Sequence, residues 1–304
     1  SACMEGRLPT RDALVLVAVA AIWGFNFVPI RWALDEVPPF LLVAVRFLLA
    51  AIPMVFFVRR PAAPWPYVAG YGLAIAVGQF GLLFLAIRLG FPAGLASLLI
   101  QVQVFFTIGL AAVLTKDRPR PHQLLGACVA TLGITVLAAE RISSGLTGSL
   151  LGLALVLGAA ACWAAGNITA KVAGQRQPLD MFSLVVWSSL AAPLPLAILS
   201  YFTEGPEAWS QLAGASMRTW ASILFMSYAA TLFGFAAWNR MLHRHPAALV
   251  TPFALLVPVA GLASAALFLG EDFSGLERIA AGLVLLGLVV AVAGGRSAAK
   301  SKLR

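Results

Sequence analysis

Charge is what this sequence has least of. Only 11% of its 304 residues are Asp, Glu, Lys or Arg, while 61% are hydrophobic, too little polar material to coat a water-soluble domain. Histidine and cysteine are sparse, three of each. Cys128 and Cys162 fall inside apolar runs and Cys3 in a short leading tail, which excludes a disulfide framework and leaves no His/Cys set to hold a metal; no cofactor is implied. No long polar stretch interrupts the chain, so no separate soluble domain is expected. Acid is missing where it would matter most: no Asp or Glu falls deep in an apolar run, and Arg46 is the only basic residue that does.

What remains is a succession of apolar runs, each near the roughly 20 residues a spanning helix needs. They predict an all-α integral membrane protein with ten transmembrane helices, over 13–33, 39–58, 66–87, 92–114, 122–139, 149–171, 179–202, 219–239, 246–269 and 276–294. The first run, Ala13 to Ala33, has no small-residue cleavage site, so it reads as a retained span. Numbering the joints alternately separates the cations: fifteen Lys and Arg fall on the side of the two ends and five on the other. By the positive-inside rule both ends are expected in the cytoplasm. The acids run the opposite way, four against eight. The net charge of +9 is thus explained by membrane orientation, not by nucleic acid.

The stretch from Pro92 to Leu137 recurs 154 residues later, from Pro246 to Ala291. Pro92, Ala93, Leu95, Ser97, Asp117 and Gly133 meet Pro246, Ala247, Leu249, Thr251, Glu271 and Gly287 without a gap, the mark of an internal duplication. Five spans per copy is an odd number, which turns the second copy over in the membrane. The expected organisation is a tail over 1–12, a first repeat over 13–139, a linker over 140–148, an inverted second repeat over 149–294 and a basic tail over 295–304. The copies begin less alike, although Trp23 to Arg31 and Trp163 to Lys171 share an eight-residue spacing. Inverted halves around a central cavity are the architecture of carriers working by alternating access.

Four runs then carry a resemblance: Trp-Gly-Phe-Asn-Phe at 23–27, Pro-Ala-Gly-Leu-Ala-Ser-Leu-Leu at 92–99, Pro-Ala-Ala-Leu-Val-Thr-Pro-Phe at 246–253 and Leu-Gly-Glu at 269–271. With these, nearly the whole chain resembles the drug/metabolite transporter superfamily, specifically its EamA-type carriers, and within them the YddG-type bacterial exporters of amino acids, aromatic ones included. The resemblance implies a ten-helix basket, residence in the bacterial inner membrane and export. Lys116-Asp117 departs from the family's usual Gly-Glu. The chemistry expected is movement of neutral or zwitterionic metabolites without an embedded carboxylate, since proton-coupled carriers place a titrating group in the bundle. Proton coupling, or other metabolites and drugs on the same fold, is the alternative. An enzyme would need a His, Asp or Glu constellation that is not present, and a channel is disfavoured by inverted halves with unequal prolines. The partners expected are a small-molecule substrate and the lipid bilayer, with self-association allowed.

Each candidate site residue has a functional and a plain reading. Arg46 is either an anchor for a substrate carboxylate or a side chain snorkelling to the surface. Asn26, Gln79, Gln101 and Asn167 must pair or face water, so each is substrate contact or glue between helices; Gln103 and Thr107 are expected to pair with a neighbour. Trp163 with Asn167, Trp23 with Asn26, and Tyr228 with Trp238 form stripes at helical spacing that either pack or line the cavity. Trp163, far from either interface, is the aromatic expected to face substrate. Tyr71 lies on the side of its span that holds Gln79. Ser97 and Thr251 are hydroxyls at equivalent places in the two copies. Pro252 and Pro258 interrupt the ninth span as kinks for gating, where the fourth has Leu98 and Val104; the halves are therefore expected to bend unequally. Pro29, Pro53, Pro193 and Pro195 read as static kinks, and small residues in the fifth and tenth spans as scaffold packing. His243 to His245 reads as an inside-loop charge signal or a pH sensor, and 203–218 as an interfacial segment or a lid.

Overall fold

A computed structural model of the chain describes residues 8–114, 118–144, 147–175, 178–245 and 247–301. Among the described residues, ten helices are long and apolar enough to cross a membrane: α1 Thr10–Leu34, α2 Pro39–Phe56, α3 Trp65–Arg88, α4 Ala93–Leu114, α5 Pro121–Ser143, α6 Leu150–Gly174, α7 Met181–Thr203, α8 Met217–Arg244, α9 Thr251–Leu269 and α10 Gly275–Val292. They match the ten expected spans, and the protein is a multi-pass membrane protein. Asp117 and Pro246, two markers of the repeat, lie outside the described residues. The near face is taken here as the one on which α1 begins, and the far face as the one on which it ends.

Local chemistry sets the helix starts. Proline occupies the first turn of α2, α3 and α5, where its missing N–H costs nothing. The Asp180 carboxylate accepts from Phe182 N at the start of α7 and the Ser216 hydroxyl accepts from Thr219 N at the start of α8. Ser274 and Glu277 form a reciprocal box on α10, each side chain accepting from the other's backbone N–H at 3.1 and 2.8 Å.

The helices are not regular throughout. α1 turns at Asn26 between Thr10–Phe25 and Phe27–Leu34, because Pro29 has no N–H for the Phe25 carbonyl. α3 and α8 each contain a π-helical segment, Leu73–Phe80 and Phe225–Phe233, beginning eight residues beyond the helix start in both. α4 tightens to a 3₁₀ turn at Ile100–Val102 and α9 at Thr251–Leu255. Pro252 lies within the second of these, and Pro258 is buried in the helix that follows. α4 distorts with no proline at all.

The two copies run opposite ways. At the α5–α10 crossing, a Cβ on Gly126 would lie 2.4 Å from the Gly287 carbonyl, and one on Gly133 would lie 2.8 Å from that of Ala280. Shifting by 154 residues turns Gly126 into Ala280 and Gly133 into Gly287, which exchanges the two contacts. As α5 advances from 126 to 133, α10 retreats from 287 to 280, the relation expected of copies inverted about an axis in the membrane plane. The small residues bring the two backbones within direct contact.

Packing is uneven across the membrane. In the far half and the middle, one continuous core joins Phe27, Ile30 and Leu34 of α1, Leu41, Leu42 and Phe47 of α2, Phe84 and Ile87 of α3, Leu95, Leu98 and Leu99 of α4, Val156 of α6, Leu196 of α7, Met226 of α8 and Val284 of α10. The near half has two smaller clusters: Val68, Tyr71, Ile75, Ala173 and Leu184 on α3, α6 and α7, and Leu16 and Met241 of α1 and α8 with Val250 just before α9. Half-buried Trp23, Phe235 and Trp238 stand between them, with the Trp23 ring 5.4 and 5.3 Å from the other two.

Candidate functional site

Where the far core ends, a cavity of about 20 Å³ lies between the two halves, room for about one water. Its walls are Arg46 and Phe47 of α2, Tyr71, Gly72, Ile75, Ala76 and Phe80 of α3, Val185, Ser188 and Ser189 of α7, and Thr231 and Phe235 of α8. The π-helical segments of both α3 and α8 thus face it. A π turn leaves main-chain carbonyls short of their regular partners, and side chains use them. Thr231 Oγ1 donates to Met226 O at 2.8 Å, and Trp23 Nε1 donates to Ala230 O at 2.8 Å. Gly234 makes the second bond possible, since a Cβ there would lie 2.4 Å from the indole nitrogen.

Arg46 is the charged residue of this cavity and is 3% exposed. Its Nη2 donates to Thr231 Oγ1 at 3.2 Å, and its guanidinium carbon lies 4.0 Å from the Phe80 ring centre, a cation–π distance. Nε and Nη1 have no hydrogen-bond partner. The side chain is therefore held in the protein interior and does not snorkel. Opposite, Ser188 and Ser189 both donate to Val185 O, at 3.2 and 2.6 Å.

The other expected residues divide among several places. Tyr71 lines the cavity with Arg46. Trp163 is half-buried and packs against both the far core and the α3–α6–α7 cluster. Asn167 donates to Gln103 Oε1 at 2.7 Å and Thr107 Oγ1 at 3.3 Å, tying α6 to α4. Gln101 Nε2 reaches Ala254 O at 3.4 Å, across to α9. Ser97, fully buried, donates to Gly94 O and packs where a Cβ on Gly261 would lie 2.2 Å from its hydroxyl. Tyr228 donates to Ile52 O at 3.4 Å. Asn26 and Gln79 are buried with their side-chain carbonyls unpartnered. Trp238 packs against Trp23 with the rings tilted by 45°, and Thr251 is exposed at the start of α9. Phe80, Ser188 and Ser189 were not singled out from sequence; adjacent serines inside the apolar run of α7 were the available signal.

The far-face acids have structural work to do. Glu271 accepts from Ala93 N at 2.6 Å and Gly94 N at 2.9 Å, Glu204 from Phe40 N at 2.7 Å and Leu41 N at 3.1 Å, and Glu36 from Ser216 N at 2.6 Å. Each carboxylate holds the N-terminus of a helix distant in sequence, where free N–H groups and the helix dipole favour an anion. Burial raises the Glu271 carboxyl above its ordinary value, opposed by the two backbone N–H groups. Glu36 is lowered, first by the Ser216 hydroxyl and then by its N–H. A buried Arg141–Glu277 ion pair joins α5 to α10. On the near face His245 meets Asp12 at 2.7 Å.

The profile of the EamA-like transporter family matches twice, over residues 11–139 and 150–293, one match to each five-helix half. The chain belongs to the EamA-like transporter family. Over 288 residues it is 43% identical to a probable amino-acid metabolite efflux pump of Salmonella typhimurium, covering 94% of this chain and 96% of that one. A protein of the same description from Escherichia coli is 40% identical over 286 residues, covering 93% and 95%. More distantly, an uncharacterized inner membrane transporter, YedA, of Escherichia coli is 25% identical, covering 92% and 90%. A solved crystal structure shares the fold with a TM-score of 0.64 at 20% identity, covering 95% of this chain and 99% of that one.

Proposed function

We propose that the protein exports small neutral or zwitterionic amino-acid metabolites across the bacterial inner membrane by alternating access, as a facilitator, with both ends in the cytoplasm. The observation that carries the mechanism is the cavity shared by both halves, sealed toward the far face by one continuous core and flanked toward the near face by two separate clusters. This is the packing of a carrier closed on one side and divided on the other. The descriptions of the two efflux-pump relatives support the substrate class, that of the more distant transporter supports the inner membrane, and the fifteen-to-five division of Lys and Arg supports the orientation. Among the described residues no Asp or Glu lines the cavity, which supports transport that does not need a proton bound at the central site.

The test is uptake of labelled neutral amino acids, phenylalanine and tryptophan among them, into liposomes holding the purified protein, with and without an imposed pH gradient and alongside Trp163→Ala. Saturable flux indifferent to the gradient and weakened in the variant is expected. Accumulation that requires inward or outward proton flow would replace the facilitator reading with a proton-coupled one.

A further inference from the structure

The two walls of the cavity are equivalent places in the repeat that have become chemically different. Arg46 and Phe47 stand seven and eight residues beyond Pro39, the first residue of α2; Ser188 and Ser189 stand seven and eight beyond Met181, the first residue of α7. One half therefore offers a cation and an aromatic ring where the other offers two hydroxyls. Among the described residues no carboxylate pairs with Arg46, and two of its nitrogens are unpartnered although the side chain is 3% exposed. Burying an arginine without an anion is costly, and Thr231 and the Phe80 face offset only part of that cost. The guanidinium's planar set of donors is suited to a carboxylate.

The serines complete the pattern. Each spends its one hydrogen on Val185 O, so its oxygen has only acceptor capacity left for a ligand. An oxygen that can only accept repels a carboxylate and suits an ammonium. We propose that Arg46 and the Ser188–Ser189 pair form a headgroup site for an α-amino-acid zwitterion, the guanidinium taking the carboxylate and the serine oxygens taking the ammonium. The site rests on the transport reading above and narrows it to substrates that keep both charges. With space for about one water, the headgroup enters when α3 and α7 part. Gly72 is where they touch, since a Cβ there would lie 2.2 Å from Ser188 O.

The experiment is competition in the liposome assay. A labelled neutral amino acid that gives saturable flux is chosen from phenylalanine, leucine and serine, and competed with its unlabelled self, its amide, its decarboxylated amine and the corresponding deaminated acid. In the wild type the three analogues should compete about ten- to a hundredfold more weakly than the amino acid, the range expected for losing a hydrogen bond to a charged group. In Arg46→Lys discrimination against the amide should shrink; in Ser188→Ala combined with Ser189→Ala discrimination against the deaminated acid should shrink while that against the amide persists. An amide that competes as well as the amino acid in the wild type overturns the site without recourse to any variant, as does unchanged discrimination in folded Arg46→Lys. Absence of flux for every amino acid overturns the transport reading and the site with it.

Discussion

The far and near halves of the membrane region are built from the same ten helices but held by different means. On the far side, buried side chains from nearly every helix join into one core, and carboxylates fasten the starts of α2, α4 and α8 to segments distant in sequence. On the near side, two clusters stand apart, bridged by half-buried aromatics. The difference teaches that closure here is additive: the far half is shut by apolar burial together with charge-assisted caps, whereas the near half lacks a shared core. A carrier that must also open its far side has to release both kinds of contact together, which concentrates control in the few residues where they coincide.

The comparison breaks most severely at the Arg141–Glu277 pair, buried between α5 and α10. Glu277→Gln leaves a buried guanidinium without its anion, and thermal unfolding in detergent should show a loss of about 3 kcal/mol. Next is the glycine crossing of the same two helices. A Cβ on Gly126 would lie 2.4 Å from a main-chain carbonyl, whereas one on Gly282 of α10 meets nothing within 4 Å. Gly126→Ala should cost about 1–3 kcal/mol, while Gly282→Ala should be neutral or slightly stabilising; equal effects would mean that α5 and α10 do not cross there. The smallest effect separates two far-face caps by sign. The folded Glu271 pKa lies above 4.5 and that of Glu36 below it. The Glu271 contribution is therefore present below 4.5 and lost as pH rises through its raised value, while that of Glu36 is present above 4.5 and lost as pH falls through its lowered value. Stability of Glu271→Gln relative to wild type should rise with pH just above 4.5, and that of Glu36→Gln should rise as pH falls below it, both read from melting temperature across a pH series.

How much of this was legible in the sequence follows from what each feature depends on. The ten spans and the duplication were, because lipid forces every spanning segment to be long and apolar and a copied stretch keeps its order. The breaks were legible only where proline causes them. Pro29 explains the turn at Asn26, but the π segments of α3 and α8 contain no proline; the Trp23 bond to Ala230 O is one of the tertiary contacts that accompany them. The far-face acids were visible as a charge bias, yet their capping role depends on which helix start lies beside them. For the site, Arg46 stood out as the one deep basic residue, and Tyr71 shares its cavity. Ser188 and Ser189 did not stand out, since a serine in an apolar helix usually bonds to its own backbone. Both do so, and only the fold brings them to the same cavity as an arginine. Asn167 shows the reverse: its amide is prominent in sequence and is taken up by Gln103 and Thr107.

The most direct test of the sealed far half and divided near half is chemical access to the cavity wall. With Cys3→Ser, Cys128→Ser and Cys162→Ser as background, Phe235→Cys is exposed to a membrane-impermeant maleimide from one face at a time, in oriented vesicles without substrate. Labelling from the face on which α1 begins, and protection from the opposite face, is the predicted result. Labelling at least as fast from the far face would contradict it.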